Sequence, residues 1–231
     1  MDNNLKNNYE QWHSRLSASD IVSEKKSFDI LFDMFKGRDH QRGKLLDVSC
    51  GKGMFLALAS EKGFKTYGID ISEVAVNIAK QVSSSSILEV GNSEEMPYLD
   101  DAFDVVTCLG SLEHFTNLDN GIKEISRVLK PSGNALIMVP NLYFLGHIYM
   151  AVRYGSQPSE AGQQFSEQFL TRGGWQNVLE NNGLKVEEVF KYNYIWATKK
   201  VSKFAIFSWN LLKPFIPVGL SYNFCFLCKK G

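Results

Sequence analysis

The sequence predicts an α/β domain built on a doubly wound, mainly parallel sheet. Short apolar runs recur at residues 45–48, 65–70, 87–90, 103–109 and 134–140, each compact enough for a strand covered on both faces. Between most of them lie segments of helical periodicity. Crossovers of that length join parallel neighbours through a helix.

The chain is organised around residues 44–53. Leu45, Leu46 and Val48 form the first buried strand, which carries Asp47 near its tip. Gly51 and Gly53 let the backbone turn sharply and bring its N–H groups close to a ligand. Met54, Phe55, Leu56 and Leu58 open the helix that follows, and the second strand ends in Asp70. An acid at that place can accept hydrogen bonds from both hydroxyls of a ribose. Counted from Gly51 and Gly53, the third glycine of a dinucleotide fingerprint falls on Leu56, which disfavours NAD and FAD.

A chain of 231 residues suits one α/β domain with some elaboration. Lys plus Arg and Asp plus Glu both number 25, so no net field favours nucleic acid. No basic-then-apolar leader is recognisable at the start, which together with unpaired cysteines suggests a cytoplasmic protein. Cys225 and Cys228 have redox or zinc spacing, but no second pair or His cluster accompanies them. A structural strand is the preferred reading there, and no metal site is expected.

Residues 1–42 read as a polar start followed by helix, a helical cap on the domain of residues 43–231. Tyr9, Trp12 and Leu16 share a helical face, and Ile21, Phe28, Leu31, Phe32 and Phe35 continue an amphipathic helix. The cap either packs across the sheet or places Tyr9, Trp12 and His13 as a lid over the site. Ser72 caps a helix over residues 73–81. The third strand leads into Gly91, Asn92 and Ser93, and the fourth into residues 111–115, which include Glu113 and His114. A helix over residues 117–129 stops at a Pro131-Ser132-Gly133 turn before the fifth strand at residues 134–140.

Residues 141–150 are apolar and aromatic at helical spacing, and covering the sheet is their expected job. Residues 155–168 form a polar loop. Thr171 starts a helix with Trp175, Val178 and Leu179 inward, ending at Asn182-Gly183 before a sixth strand at residues 184–190. Residues 224–229 make the seventh strand. Between them, residues 201–220 are apolar but interrupted by Lys213, Pro214 and Pro217, so they do not read as a membrane span. Three readings stay open for this segment. It is a helix packed on the sheet or on a homodimer partner, a cover for an acceptor site, or an interfacial helix with Lys199, Lys200, Lys203 and Lys213 near lipid headgroups.

Several ordered motifs carry a resemblance. Asp47 with Ser49, Gly51 and Gly53 resembles the acid and glycines of motif I of class I S-adenosylmethionine-dependent methyltransferases, with Ser49 in place of the first glycine. The runs 91–97, Phe103-Asp104-Val105-Val106, Leu112-Glu113-His114-Phe115 and 127–133 follow in order, as in the methyltransferase type 11 branch. The resemblance spans residues 44–140. It implies a Rossmann-like sheet of order 3-2-1-4-5-7-6 with the last strand antiparallel. It implies that S-adenosyl-L-methionine is the cofactor. Asp47 would orient the methionine part, with the backbone of Ser49, Cys50, Gly51 and Gly53 beneath it. Asp70 would take the ribose and Ile71 one adenine face. Asn92 and Ser93 would meet the adenine edge, and Leu109 would supply backbone near the methionine end.

Methyl transfer from a sulfonium is an in-line displacement, so the protein mainly positions the nucleophile and excludes water. His114 is the candidate base for an alcohol, or equally a structural residue shared by the family. Tyr143 and His147 are candidate acceptor contacts, alongside Tyr9 and Trp12. The segments 141–170 and 197–220 are the expected cover over the acceptor. Residues 157–183 and 220–224 also look like methyltransferases of bacterial cell-surface glycan pathways, which makes a sugar or other small-molecule hydroxyl the preferred acceptor. N-methylation of a small amine, methylation of a lipid or quinone precursor, and a cofactor-binding module without turnover remain the alternatives.

Overall fold

The structure is a computed structural model, which describes residues 28–35, 43–154, 168–193 and 211–231. Seven strands form one sheet: β1 (Lys44–Val48), β2 (Lys65–Asp70), β3 (Ile87–Val90), β4 (Phe103–Leu109), β5 (Leu129–Pro140), β6 (Leu184–Tyr192) and β7 (Asn223–Lys230). Their order is β3-β2-β1-β4-β5-β7-β6. The first five pair in parallel, and β7 runs antiparallel between β5 and β6. This is the order and the direction of the last strand that the sequence implies.

The helices follow the strands: α1 (Met54–Glu61), α2 (Glu73–Val82), α3 (Leu118–Val128), α4 (Leu145–Tyr154) and α5 (Arg172–Asn181). Ser72 caps α2 by accepting the Ala75 N–H at 3.1 Å, and Thr171 caps α5 by accepting from Gly174 at 3.1 Å. Past α5, Gly183 takes φ 89°, a left-handed conformation that suits a glycine stop.

The inner strands β1, β4, β5 and β7 are mostly buried on both faces, which explains their apolar runs, while the edge strands β3 and β6 are partly exposed. Leu46, Val106, Ile137 and Phe226 face one core with Ile122, Ile125, Trp175 and Leu179 of α3 and α5. Their neighbours Leu45, Val105, Leu136 and Leu227 face the other core with Phe55 and Leu56 of α1. The helical residues 28–33 join this second core. Leu31 is fully buried there, and the Phe32 ring stacks on Phe55 at 4.8 Å between centroids. Cys225 and Cys228 belong to opposite cores, so their side chains leave β7 on different faces and cannot converge on one ion.

Two expectations need correction. α3 ends at Val128, and β5 begins at Leu129, so Pro131, Ser132 and Gly133 lie within the strand's span and not in a turn before it. The pairing with β4 shifts register between Phe103 and Val105. The surplus residues are on β5, where 130–133 stand against the single Asp104, which accepts from the Lys44 backbone at 2.8 Å and from Lys130 Nζ at 2.7 Å and so fixes the irregularity. The second correction concerns residues 141–150. They do form a helix from Leu145, but Leu145, Ile148, Tyr149 and Val152 are exposed, so this face of α4 does not cover the sheet. Most of the expected N-terminal cap, with Tyr9 and Trp12, lies outside the described residues, as do parts of both cover segments.

Candidate active site

The carboxyl ends of β1, β2 and β4 meet at one edge, and the candidate residues gather there. The chain leaves β1 through Ser49, Gly51 and Gly53, with φ values of 57°, 52° and 74°. Three left-handed residues in so short a turn explain the glycines. Ser49 is the one that carries a side chain through the same region, where its Oγ lies 3.2 Å from Ser93 Oγ. At Gly53 a Cβ would approach Ala79 Cβ to 2.9 Å, so α1 can begin against α2 only with a bare Cα.

Asp70 closes the turn from the neighbouring strand. Its Oδ2 accepts the Gly51 N–H at 2.8 Å and its Oδ1 accepts the Ser72 N–H at 2.9 Å. The carboxylate is thereby locked in place at the head of α2, where a negative charge is favoured. Asp47, on the adjacent strand, is buried. Its Oδ1 accepts from Thr107 Oγ1 at 2.7 Å across the β1–β4 pair. Burial pushes the Asp47 carboxyl up to about 7, the Thr107 hydrogen bond opposes this, and the charge of Asp70 adds to it. The Cys50 thiol is raised well above its ordinary value, first by burial and then by the charges of Asp70 and Asp47, so it is inert.

The loop after β3 completes this edge. Gly91 donates to the Asp70 carbonyl at 2.9 Å, and Ser93 is buried. Asn92 Oδ1 accepts from Glu94 N–H at 3.0 Å, a turn within its own loop. The loop is held from α3. Glu124 accepts the Met96 N–H at 2.7 Å, while Arg127 donates to the carbonyls of Tyr98 and Met96 and to Asp100 and Glu124. Ile71 is half-buried between Asp70 and the cap residue Ser72.

After β4, Leu109 is half-buried and Gly110 donates to the Met138 carbonyl at 2.9 Å. A single 3-10 turn, Leu112–His114, then places Glu113 and His114 in buried positions. His114 Nε2 lies 3.9 Å from Glu113 Oε1, and burial lowers the imidazole to about 4, so it is neutral at pH 7. The Gln168 N–H reaches the Glu113 carbonyl at 2.9 Å, and Leu142 donates to the Leu170 carbonyl at 3.2 Å. Residues 168–170 therefore run from the β4 end to the β5 end. There Asn141 donates to the carbonyls of Gly219 and Ser221, and Phe144 packs edge-on against Tyr222. Tyr143 is exposed at this corner, and His147 lies in the first turns of α4.

Asp47, Ser49, Cys50, Gly51, Gly53, Asp70, Ile71, Asn92, Ser93 and Leu109 thus share the edge made by β1, β2 and β4 with the loop after β3. His114 sits at the β4 end, and Tyr143 and His147 follow β5. Thr107, Glu124 and Arg127 are positioning residues that the sequence reading passed over. Thr107 had a signal, being the polar residue within the otherwise apolar run Val105-Val106-Thr107-Cys108.

The chain matches a family model described as a methyltransferase domain over residues 7–189. It is 31% identical over 168 residues to a demethylmenaquinone methyltransferase of Chlorobaculum parvum, covering 65% of this chain and 69% of that one. It is 29% identical over 171 residues to a ubiquinone biosynthesis O-methyltransferase of Pseudomonas entomophila, covering 68% and 70%. Among solved structures, a Pyrococcus horikoshii protein superposes with a TM-score of 0.65 at 22% identity, over 91% of each chain. The magnesium protoporphyrin IX methyltransferase of Synechocystis, with S-adenosylhomocysteine bound, superposes with a TM-score of 0.63 at 15% identity, over 94% of this chain and 89% of that one. With the sheet order, the acid-tipped strands and a family match that runs through most of the domain, this chain belongs to the class I S-adenosylmethionine-dependent methyltransferases.

Proposed function

We propose that this methyltransferase acts on the hydroxyl of a small acceptor with an apolar, aromatic body, of the kind that quinone precursors have. The observation that carries the reading is the apolar edge beside the β4 and β5 ends. Leu142, Tyr143 and Leu145 are exposed there, and between Asn141 and Ser159 the sequence has no acid and only Arg153 as a fixed charge. The ubiquinone biosynthesis O-methyltransferase among the relatives supports the hydroxyl, and the demethylmenaquinone methyltransferase supports only the quinone-like body. The sugar acceptor expected from the sequence has no comparable support.

The residues present fit the cofactor. Two carboxylates at the tips of adjacent strands suit a cationic molecule that also carries a ribose, and left-handed backbone at Ser49, Gly51 and Gly53 allows close approach. S-adenosylmethionine supplies an activated methyl group on its own leaving sulfur. In this reading Asp70 takes the ribose hydroxyls, and Asp47 faces the methionine end. Ser49, Cys50, Gly51 and Gly53 line the floor, with Leu109 offering backbone beside Asp47. Ile71 covers the adenine, and Asn92 and Ser93 meet its edge. Asn92 Oδ1 has a lone pair to spare beyond the Glu94 contact.

His114 orients the acceptor hydroxyl and accepts its hydrogen bond. With an imidazole near 4, it is a poor base for an aliphatic alcohol, whereas a phenol needs much less help to lose its proton. This favours an aromatic hydroxyl. Tyr143, exposed after β5, stands on the acceptor side.

The test is methyl transfer to a panel of phenols and quinols with and without an apolar tail, alongside nucleotide sugars and small amines. Products would be resolved by mass and by position of methylation. Oxygen-methylated products confined to phenols or quinols support the reading, and methylation at a ring carbon would overturn it. Turnover only on nucleotide sugars or amines would overturn it. Cofactor binding without turnover on any of them would point to a binding module.

A further inference from the structure

A side chain joins the loop after β3 to the turn after β4. Asn92 Oδ1 accepts the Glu94 N–H at 3.0 Å, so the turn at Asn92 sets where the Glu94 side chain points. Glu94 Oε1 in turn accepts the Thr116 N–H at 2.7 Å, across 22 residues of sequence. Thr116 follows Phe115, the residue that ends the single 3-10 turn bearing Glu113 and His114. The bond therefore runs from the loop assigned to the adenine edge to the segment that presents His114.

The surroundings indicate what this bond is for. The start of α3 does not depend on it, because Asn117 is the cap residue and accepts the Asn120 N–H at 3.1 Å. The far half of the loop is held separately, by Glu124 and Arg127 at Met96 and Tyr98. At its near half Ser93 Oγ lies 3.2 Å from Ser49 Oγ, beside the glycine turn. The His114 turn has its own anchor on α3. A Cβ on Gly121 would come within 2.1 Å of Phe115 Cδ2, so the ring rests on a bare Cα. Glycine is unfavourable inside a helix, and here it admits that ring. With both segments fixed to α3, the span between Asn92 and His114 is closed by the half-buried Glu94. Its carboxylate makes a charge-assisted bond, stronger than a neutral one.

We propose that Glu94 is a positioning residue that ties the adenine-edge loop to the His114 turn, so that cofactor binding orders the acceptor side of the site. A ligand that fixes Asn92 and Ser93 also fixes the turn from which Glu94 projects. The carboxylate then holds Thr116 and, through it, His114, which makes the two ends of the site energetically coupled. The cofactor thereby prepares the acceptor contact before the acceptor arrives. This rests on the assignment of Asn92 and Ser93 to the adenine edge, and it adds a residue that acts through its neighbours.

The experiment is amide hydrogen exchange of the full chain with and without saturating S-adenosylhomocysteine, read by mass spectrometry on peptides covering residues 91–97 and 111–116. In the wild type the ligand should slow exchange in both, by about fivefold or more at 111–116. In Glu94→Ala the slowing at 111–116 should be lost while that at 91–97 remains. Glu94→Gln keeps an acceptor oxygen for Thr116 and should restore it. A general loss of stability would speed exchange with and without ligand, and would not remove the ligand-dependent difference from one peptide alone. Protection at 91–97 that does not extend to 111–116 in the wild type overturns the proposal. So does protection at 111–116 that survives Glu94→Ala, or that is lost equally in Glu94→Gln. No protection at 91–97 in wild-type protein that binds the ligand would instead refute the adenine placement, and the proposal with it.

Discussion

Thr107 donates its hydroxyl to Asp47 Oδ1 at 2.7 Å, joining the centres of two parallel strands just inside the cofactor edge. The bond is the main influence holding the buried carboxyl down against desolvation. Thr107→Val keeps the shape but removes the donor. We expect a stability loss of about 1–3 kcal/mol, because a buried acceptor loses its partner. The pH at which cofactor binding weakens on acidification should rise, while Thr107→Ser should stay close to wild type. Dissociation constants measured between pH 5 and 9 check this, and identical profiles for Thr107→Val and wild type would contradict it.

Ser49 occupies a conformation that favours glycine, with φ 57°, and its hydroxyl meets Ser93. Ser49→Gly relieves the backbone but frees the unfolded chain, so its stability should stay within about 1 kcal/mol of wild type. Ser49→Val places a β-branched side chain in the same region and should cost about 1–3 kcal/mol. Urea unfolding of the two variants gives the comparison. Equal stability for Val and Gly at this position would contradict the backbone assignment.

His114 and Asp47 make opposite contributions to stability on acidification. The folded His114 imidazole is lowered from 6.5 to about 4, so its contribution is complete above 6.5 and is lost as pH falls towards 4, by about 3 kcal/mol in all. The folded Asp47 carboxyl is raised from 3.8 to about 7, so its contribution is complete below 3.8 and is lost as pH rises through 7. Between about 4 and 6.5 the two slopes oppose each other. Relative to wild type, Asp47→Asn should lose stability more steeply on acidification and His114→Gln less steeply. Unfolding curves across this range test it, and parallel slopes for all three proteins would refute the opposition.

The parts of this protein legible in the sequence are those that short-range chemistry decides. Asp47 lies next to the end of its strand and Asp70 ends its own, Ser72 and Thr171 cap their helices, and Gly183 stops one, because each choice depends on a few neighbouring residues. What escaped the reading depends on partners distant in sequence. The Pro131-Ser132-Gly133 run has the composition of a turn, but Asp104, through Lys44 and Lys130, fits it into a strand register. Arg127 shows nothing in its own neighbourhood of the carbonyls it holds at Met96 and Tyr98. The periodicity of α4 revealed an apolar face but not what lies opposite it.

The most direct test of the account is calorimetric titration of S-adenosylmethionine and S-adenosylhomocysteine into wild type and Asp70→Ala, with thermal unfolding of both proteins as a control for folding. Micromolar binding, about −8 kcal/mol, is expected for wild type, with at least a tenfold loss in a folded Asp70→Ala. Absence of binding by the wild type, or undiminished affinity in the variant, would contradict a cofactor site built on Asp70.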